Sequence, residues 1–183
     1  MTSFGMRLLR AALLHADTYE EIEADRRSIG QAIAVVALAC VSIGVGRYLQ
    51  NASAGFASHQ LTLQVVLSVI EPLALWIGGS TFVFMVGATF FRGPETETDF
   101  AEVLRTTGFA FTPALLRVFV ALPPAWLGLS IDLAARVWVF LAFVVAVRQA
   151  LDFTTARAVG TFGLAATLLW LMLWGLSVAP LPF

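Results

Sequence analysis

Apolar residues fall into long runs, and the polar residues between them are few and clustered. The first run covers residues 29–46. A second, residues 61–91, is longer than one crossing needs. Three more follow, from about 100 to 122, from 131 to 151 and from 158 to 179. About 20 apolar residues are required to cross roughly 30 Å of hydrocarbon. The pattern therefore predicts an all-α polytopic membrane bundle of five transmembrane helices, with residues 28–183 as the membrane domain.

Residues 1–27 form a separate N-terminal segment. Phe4, Leu8, Leu9 and Leu13 can share one side of a short helix, which predicts an interfacial helix on the inner leaflet, against the plainer reading of a solvated helix packed on the rest of the protein. Arg7 and Arg10 interrupt its apolar cluster, so it does not read as a cleavable signal peptide. Thr18 and Glu21 have the spacing of a capping box. The acidic stretch that follows offers Tyr19, Glu20, Glu21, Glu23 and Asp25 as candidate docking residues for a basic partner, against the plainer reading of a solvated face.

Punctuation refines the spans. Glu71-Pro72 interrupts the second run, and proline removes a helix hydrogen bond. A break or kink is expected there, with residues 61–70 as an extra helical piece at the outer surface or a kinked extension, and residues 72–91 as the crossing. Counting from Arg92 at about 1.5 Å per residue puts Glu71 about 30 Å away. Gly93-Pro94 marks a turn. Asp99 and Glu102 form a capping box that starts the third helix, which should run past Gly108 and Pro113 to about Leu122. Pro123-Pro124 ends it. Ser130 is the expected N-cap of the fourth helix, and Thr154 or Thr155 of the fifth.

Charge fixes an orientation. The chain has no lysine, so its 11 arginines are its only fixed side-chain cations. Arg7, Arg10, Arg26, Arg27, Arg92, Arg105, Arg148 and Arg157 fall on one predicted side, and Arg47 stands in a loop on the other. The positive-inside rule then predicts a cytoplasmic N-terminus and an external C-terminus. Arginine-only cation usage points to a GC-rich bacterial genome and hence to the inner membrane. The hydrophobic share of 59%, with 13% charged residues and a mean hydropathy of +0.86, is far from an ordinary soluble domain. A net charge of -1 gives no sign of a nucleic-acid partner. Expected partners are membrane lipids and other membrane proteins or further copies of the chain.

Candidate chemistry is sparse. There is no glycine-rich phosphate loop, no paired histidines and no cysteine pair, so neither catalytic residues, metal ligands nor a cofactor are expected. Cys40 reads as a buried structural thiol. The sharper signal is the set Arg47, Glu71, Arg117, Asp132 and Arg136, because intramembrane charges are costly unless paired or hydrated. Asp132 and Arg136 are one helical turn apart and can pair. Arg47 and Glu71 are neighbours in depth. Arg117 lacks a partner on its own helix and calls for Glu71 or Asp132. Such a cluster reads as a structural clamp, or else as a polar pathway for protons, ions or lipid head groups.

Three stretches resemble the bacterial membrane proteins of the Yip-domain family, Ypt/Rab-interacting-protein-like five-span proteins. They are Thr18-Tyr19-Glu20-Glu21-Ile22-Glu23-Ala24-Asp25 with Gly30-Gln31-Ala32; Glu102-Val103-Leu104-Arg105 with Gly108-Phe109-Ala110 and Pro113; and Val147-Arg148-Gln149-Ala150-Leu151-Asp152 with Thr154-Thr155-Ala156-Arg157-Ala158. The resemblance implies five spans, a cytoplasmic N-terminus, an outward C-terminus and no catalytic residues. Eukaryotic members bind Rab-type GTPases. Their N-terminal acidic-aromatic signature is incomplete here, so that binding does not carry over. The expected function is a non-enzymatic organiser or accessory subunit of the membrane. The alternative is a small ion, solute or lipid transporter using the intramembrane charges, and a lipid-directed enzyme ranks last.

Overall fold

A computed structural model describes residues 3–55, 57–91 and 99–178. The described residues form helices throughout: α1 (Phe4–Ala12), α2 (Ala16–Ala24), α3 (Ser28–Ser53), α4 (Ser58–Phe90), α5 (Phe100–Phe109), a 3-10 segment (Thr112–Ala121), α6 (Ala125–Ala150) and α7 (Thr155–Val178). Five stretches are long and apolar enough to cross a membrane: α3, α4, α5 together with the 3-10 segment, α6 and α7. Arg92, Gly93-Pro94 and the residues after Val178 lie outside the described part. Consecutive spans run in opposite directions. The C-terminal end of α3, the N-terminal end of α4 and the turn at 122–124 form one end of the bundle, termed distal. The helices α1 and α2 and the α6–α7 turn form the other, termed proximal.

The third span is the axis of the fold. Of its apolar stretch 72% is buried, against 17–39% in the other four. It packs on α3, α4 and α6, while α7 closes against α4 and α6. Its start matches the sequence: Asp99 accepts from the Glu102 amide at 2.8 Å, and Glu102 returns a bond to the Asp99 amide at 2.8 Å. The expectation of one uniform helix to Leu122 does not hold. The α-helix ends at Phe109 and winding tightens from Thr112 to Ala121. Pro113 has no N–H for the Phe109 carbonyl, and the Thr112 hydroxyl donates to that carbonyl instead, at 2.7 Å.

The tighter winding has a geometric consequence. A 3-10 helix rises about 2.0 Å per residue against 1.5 Å for an α-helix. At those rises the segment adds about 20 Å to the 15 Å of α5. The third span therefore nearly matches the height of α6, about 39 Å, with fewer residues. Narrow winding also lets neighbours approach. Gly46 on α3 faces the Arg117 carbonyl, and Gly128 on α6 faces the Val120 carbonyl, each so closely that a Cβ would strike the oxygen.

Two further expectations change. Helix α4 continues unbroken through Pro72, so residues 61–70 are not a separate piece. Proline removes a single bond from the ladder, and packing against α3 holds the helix together; the Cys40 thiol lies 3.7 Å from the Val69 carbonyl beside the interruption. Helix α6 starts at Ala125, directly after the prolines, rather than beyond Ser130. The Ser130 hydroxyl bonds the Trp126 carbonyl within the helix at 2.9 Å. Thr154 lies where a cap was expected, its oxygen 3.5 Å from the Arg157 amide.

The N-terminal helices pack onto the bundle. Leu14 takes a left-handed conformation, φ 61°, and closes α1 with bonds from its own amide to Ala11 and from the His15 amide to Arg10. Trp138 on α6 donates to the Ala12 carbonyl at 2.7 Å. Of the four residues read as one apolar side, Phe4 and Leu8 pack inward, whereas Leu9 and Leu13 are exposed. Helix α2 begins at Ala16, so Thr18 is not its cap, and the Thr18 hydroxyl is buried without a partner.

Candidate functional site

Two polar clusters interrupt the apolar core, one toward each end. The distal cluster gathers Arg47, Glu71, Arg117, Asp132 and Arg136 from α3, α4, the 3-10 segment and α6. Asp132 is its hub. Its Oδ1 accepts from Arg117 Nε and its Oδ2 from Arg136 Nε, both at 2.7 Å. Asp132 and Arg136 are one turn apart on α6, which brings them together locally. Arg117 reaches Asp132 because the third span and α6 run antiparallel from the Pro123-Pro124 turn. Of the two counter-ions open to Arg117 from the sequence, the structure selects Asp132. Arg47 pairs separately with Glu71 at 2.9 Å. The Arg117 side chain is 11% exposed, Asp132 26% and Arg136 52%, so the cluster opens sideways from the bundle core.

Two cavities meet there. One of about 130 Å³ is lined by Glu71, Arg117 and Arg136 among apolar neighbours. A second of about 210 Å³ lies between α4, α6 and α7, and its lining is apolar apart from Arg136. They share Leu75, Phe111, Arg136 and Val139. Toward the proximal end the core is closed by Val35, Val36, Ala39, Phe109, Ala142 and Ala146, all buried.

The proximal cluster fastens α1 and α2 to the spans. Arg7 is buried, and its guanidinium binds Glu21 at 2.9 Å, Asp25 at 3.0 Å and Gln31 at 3.0 Å. The Arg7 hydrogen bond, followed by the Arg27 amide, holds the Asp25 carboxyl below its ordinary range. Arg105 is buried on α5; it donates to the Glu23 backbone carbonyl, lies 3.9 Å from Glu102, and its Nε has no partner. Gln149 donates to Glu20 at 2.6 Å. Burial lifts the Glu23 carboxyl to about 7, with Asp152, Glu102 and Glu20 adding repulsion and Arg105 opposing them. Tyr19 is fully buried, its hydroxyl on the Ala11 carbonyl at 3.2 Å, and burial pushes its phenol upward.

The five residues expected as a docking face are thus placed in different roles. Tyr19 lies inside. Glu21 and Asp25 are committed to Arg7, Glu23 is half-buried, and Glu20 remains exposed while held by Gln149. Neither Arg7 nor Arg105 was singled out as a site residue by the sequence. The one faint signal for their structural role was the acidic stretch itself, five acids within nine residues from Asp17 to Asp25, which calls for cations. Among the described residues no group of three or more histidine, cysteine, aspartate or glutamate side chains could hold a metal ion.

An all-helical bundle with five apolar crossings is a multi-pass membrane protein. The Yip1 domain model matches residues 11–177, nearly the whole described chain, and the protein belongs to that family. No curated relative and no solved structure matches it.

Proposed function

We propose that this protein is a non-catalytic organiser or accessory subunit of a bacterial inner membrane. Its N-terminus would be cytoplasmic and its C-terminus external, and it would act through partner binding. One observation carries the reading: both distal carboxylates are engaged by arginines from other helices. That is the arrangement of a clamp. The clamp locks the third span against its neighbours and leaves the outer faces free for partners. Helix α4 offers the largest such face, with Val65, Val66, Ile70, Ile77 and Met85 all exposed. Other membrane proteins, or further copies of this chain, would pack there. Residues 1–27 would form the cytoplasmic edge of the assembly.

A transporter is the second reading, favoured by the cavity that Glu71, Arg117 and Arg136 line. A double-mutant cycle on melting, run beside a liposome flux assay, separates the two. Removing one partner of a buried pair costs about 3–5 kcal/mol, and less where water reaches it, as at the partly exposed Asp132. Arg117→Met should lower the melting temperature, and Asp132→Asn in the same chain should recover part of the loss. Additive melting losses, together with a parent flux that Glu71→Gln abolishes, would replace the clamp with the transporter. Co-purification of a stoichiometric protein partner would support the subunit reading.

A further inference from the structure

The clamp leaves cationic capacity unused. Asp132 receives one bond from each of two guanidiniums, in both cases from Nε. The terminal nitrogens of Arg117 and Arg136 have no acceptor among the described residues, and both side chains line the same cavity of about 130 Å³. Glu71 lines it too, but its carboxylate is held by Arg47 at 2.9 Å. Three cations against two anions leave the cluster with one surplus positive charge. A half-exposed guanidinium within a membrane span is costly unless an anion meets it. The fork of a guanidinium suits the oxygens of a phosphate.

The second half of the site is apolar. The cleft of about 210 Å³ between α4, α6 and α7 begins at Arg136 and runs past Gly79 and Val83 on α4 and Phe143 on α6, toward the proximal end. Depth allows entry from the distal surface. Helical side chains lean toward the helix N-terminus, which for α6 is the distal end, so the Arg136 guanidinium is carried up to Asp132. Gly128 lies one further turn out, level with Val120, and the Gln50 amide also approaches the Val120 carbonyl, at 3.5 Å. Polar contacts resume there, between Asn51 and Gln64. A headgroup at the distal interface is therefore only a turn or two from the guanidiniums.

We propose that this site binds one anionic phospholipid, its phosphate on the terminal nitrogens of Arg117 and Arg136 and an acyl chain in the cleft between α4, α6 and α7. A zwitterionic lipid brings its own cation and would not neutralise the surplus charge. The lipid would complete the charge balance of the clamp.

The test is lipid-dependent melting of the full chain after delipidation in mild detergent. Phosphatidylglycerol should raise the melting temperature at a concentration at least ten-fold below that needed for phosphatidylcholine, and inorganic phosphate alone should not raise it. Arg136→Gln should still melt cooperatively, since Asp132 keeps Arg117, and should lose the ten-fold preference. Ala166→Phe places a ring in the apolar cleft from an exposed position. It should weaken long-chain phosphatidylglycerol several-fold while leaving the dihexanoyl lipid unchanged. Equal effects of the two headgroups, a full effect of inorganic phosphate, or an undiminished preference in Arg136→Gln would overturn the proposal. Equal weakening of long and short chains by Ala166→Phe would overturn the acyl-chain assignment.

Discussion

Gly46→Ala tests whether the third span is held by close backbone approach. A Cβ on Gly46 would overlap the Arg117 carbonyl oxygen, and would lie 3.0 Å from Val120 Cγ2 and 3.1 Å from the Arg117 carbonyl carbon. The oxygen belongs to the backbone of the most buried span, so no rotamer change relieves it. The helices must part by roughly an ångström, and overpacking of that kind costs about 1–3 kcal/mol. Alanine also gains about 1 kcal/mol of helix propensity over glycine, which hides part of the loss. Gly163→Ala is the control, because a Cβ there meets nothing within 4 Å. It shares the propensity gain, so the difference between the variants isolates the clash. At about 2–4 °C per kcal/mol for a chain of this size, a clash of about 1–3 kcal/mol means Gly46→Ala should melt roughly 2–12 °C below Gly163→Ala. The readout is built in: Cys40 is the sole cysteine and is buried, so a fluorogenic thiol probe in detergent reports its exposure. Equal melting of the two variants would refute the close-approach account.

Three other predictions follow from the proximal end and from the charge pattern. The Glu23 carboxyl is lifted to about 7, so between its ordinary value and 7 the folded chain holds a proton that the unfolded chain has lost. Its contribution to stability should therefore fall as pH rises from about 5 to 8; melting in buffers across that range should show the fall, and Glu23→Gln should remove it. Asp152 is left-handed, φ 51°, and repels Glu23. Asp152→Asn keeps a residue that tolerates this conformation and deletes the repulsion, so it should raise the melting temperature at pH 8 and leave it nearly unchanged at pH 5; a loss at both would be contrary. An export-dependent reporter fused after Phe183 should be active and a cytoplasm-only reporter silent; the reverse would invert the proposed orientation.

The spans were legible because burial in lipid demands long apolar runs, a signal that hardly depends on neighbours. The Asp99–Glu102 cap was legible for the opposite reason, being wholly local. What escaped lies between these scales. Pro72 and Pro113 look alike in sequence, yet α4 passes through the first and the third span changes winding at the second. At Pro113 a neighbouring threonine takes up the orphaned carbonyl, and glycines on two other helices accept the narrower segment; neither effect can be read from the proline itself. In the distal cluster, depth counting along helices brings Arg47 beside Glu71 and leaves Arg117 a choice of two acids. Selecting Asp132 needs the crossing of the third span with α6. Arg7 and Arg105 were opaque because a buried and a topological arginine read identically until their partners on α2 are in place.

The central place of the third span follows from its own composition. It carries Arg105, Thr106, Thr107, Thr112 and Arg117, all buried, and each of these groups needs a partner that hydrocarbon does not supply. Thr106 and Thr107 bond back to their own helix, while the Thr107 hydroxyl also meets Ser80 on α4 at 2.8 Å. Trp76 donates to the Leu104 carbonyl at 3.0 Å. A span with these needs is least costly at the axis, and the other four spans, 17–39% buried along their apolar stretches, then lie around it. The same logic explains the glycines. Polar contacts between backbones require close approach, and Gly46 and Gly128 provide it where the span narrows. Polarity, winding and small residues thus specify one arrangement together, with the third span as its axis and the arginine clamp at its distal end.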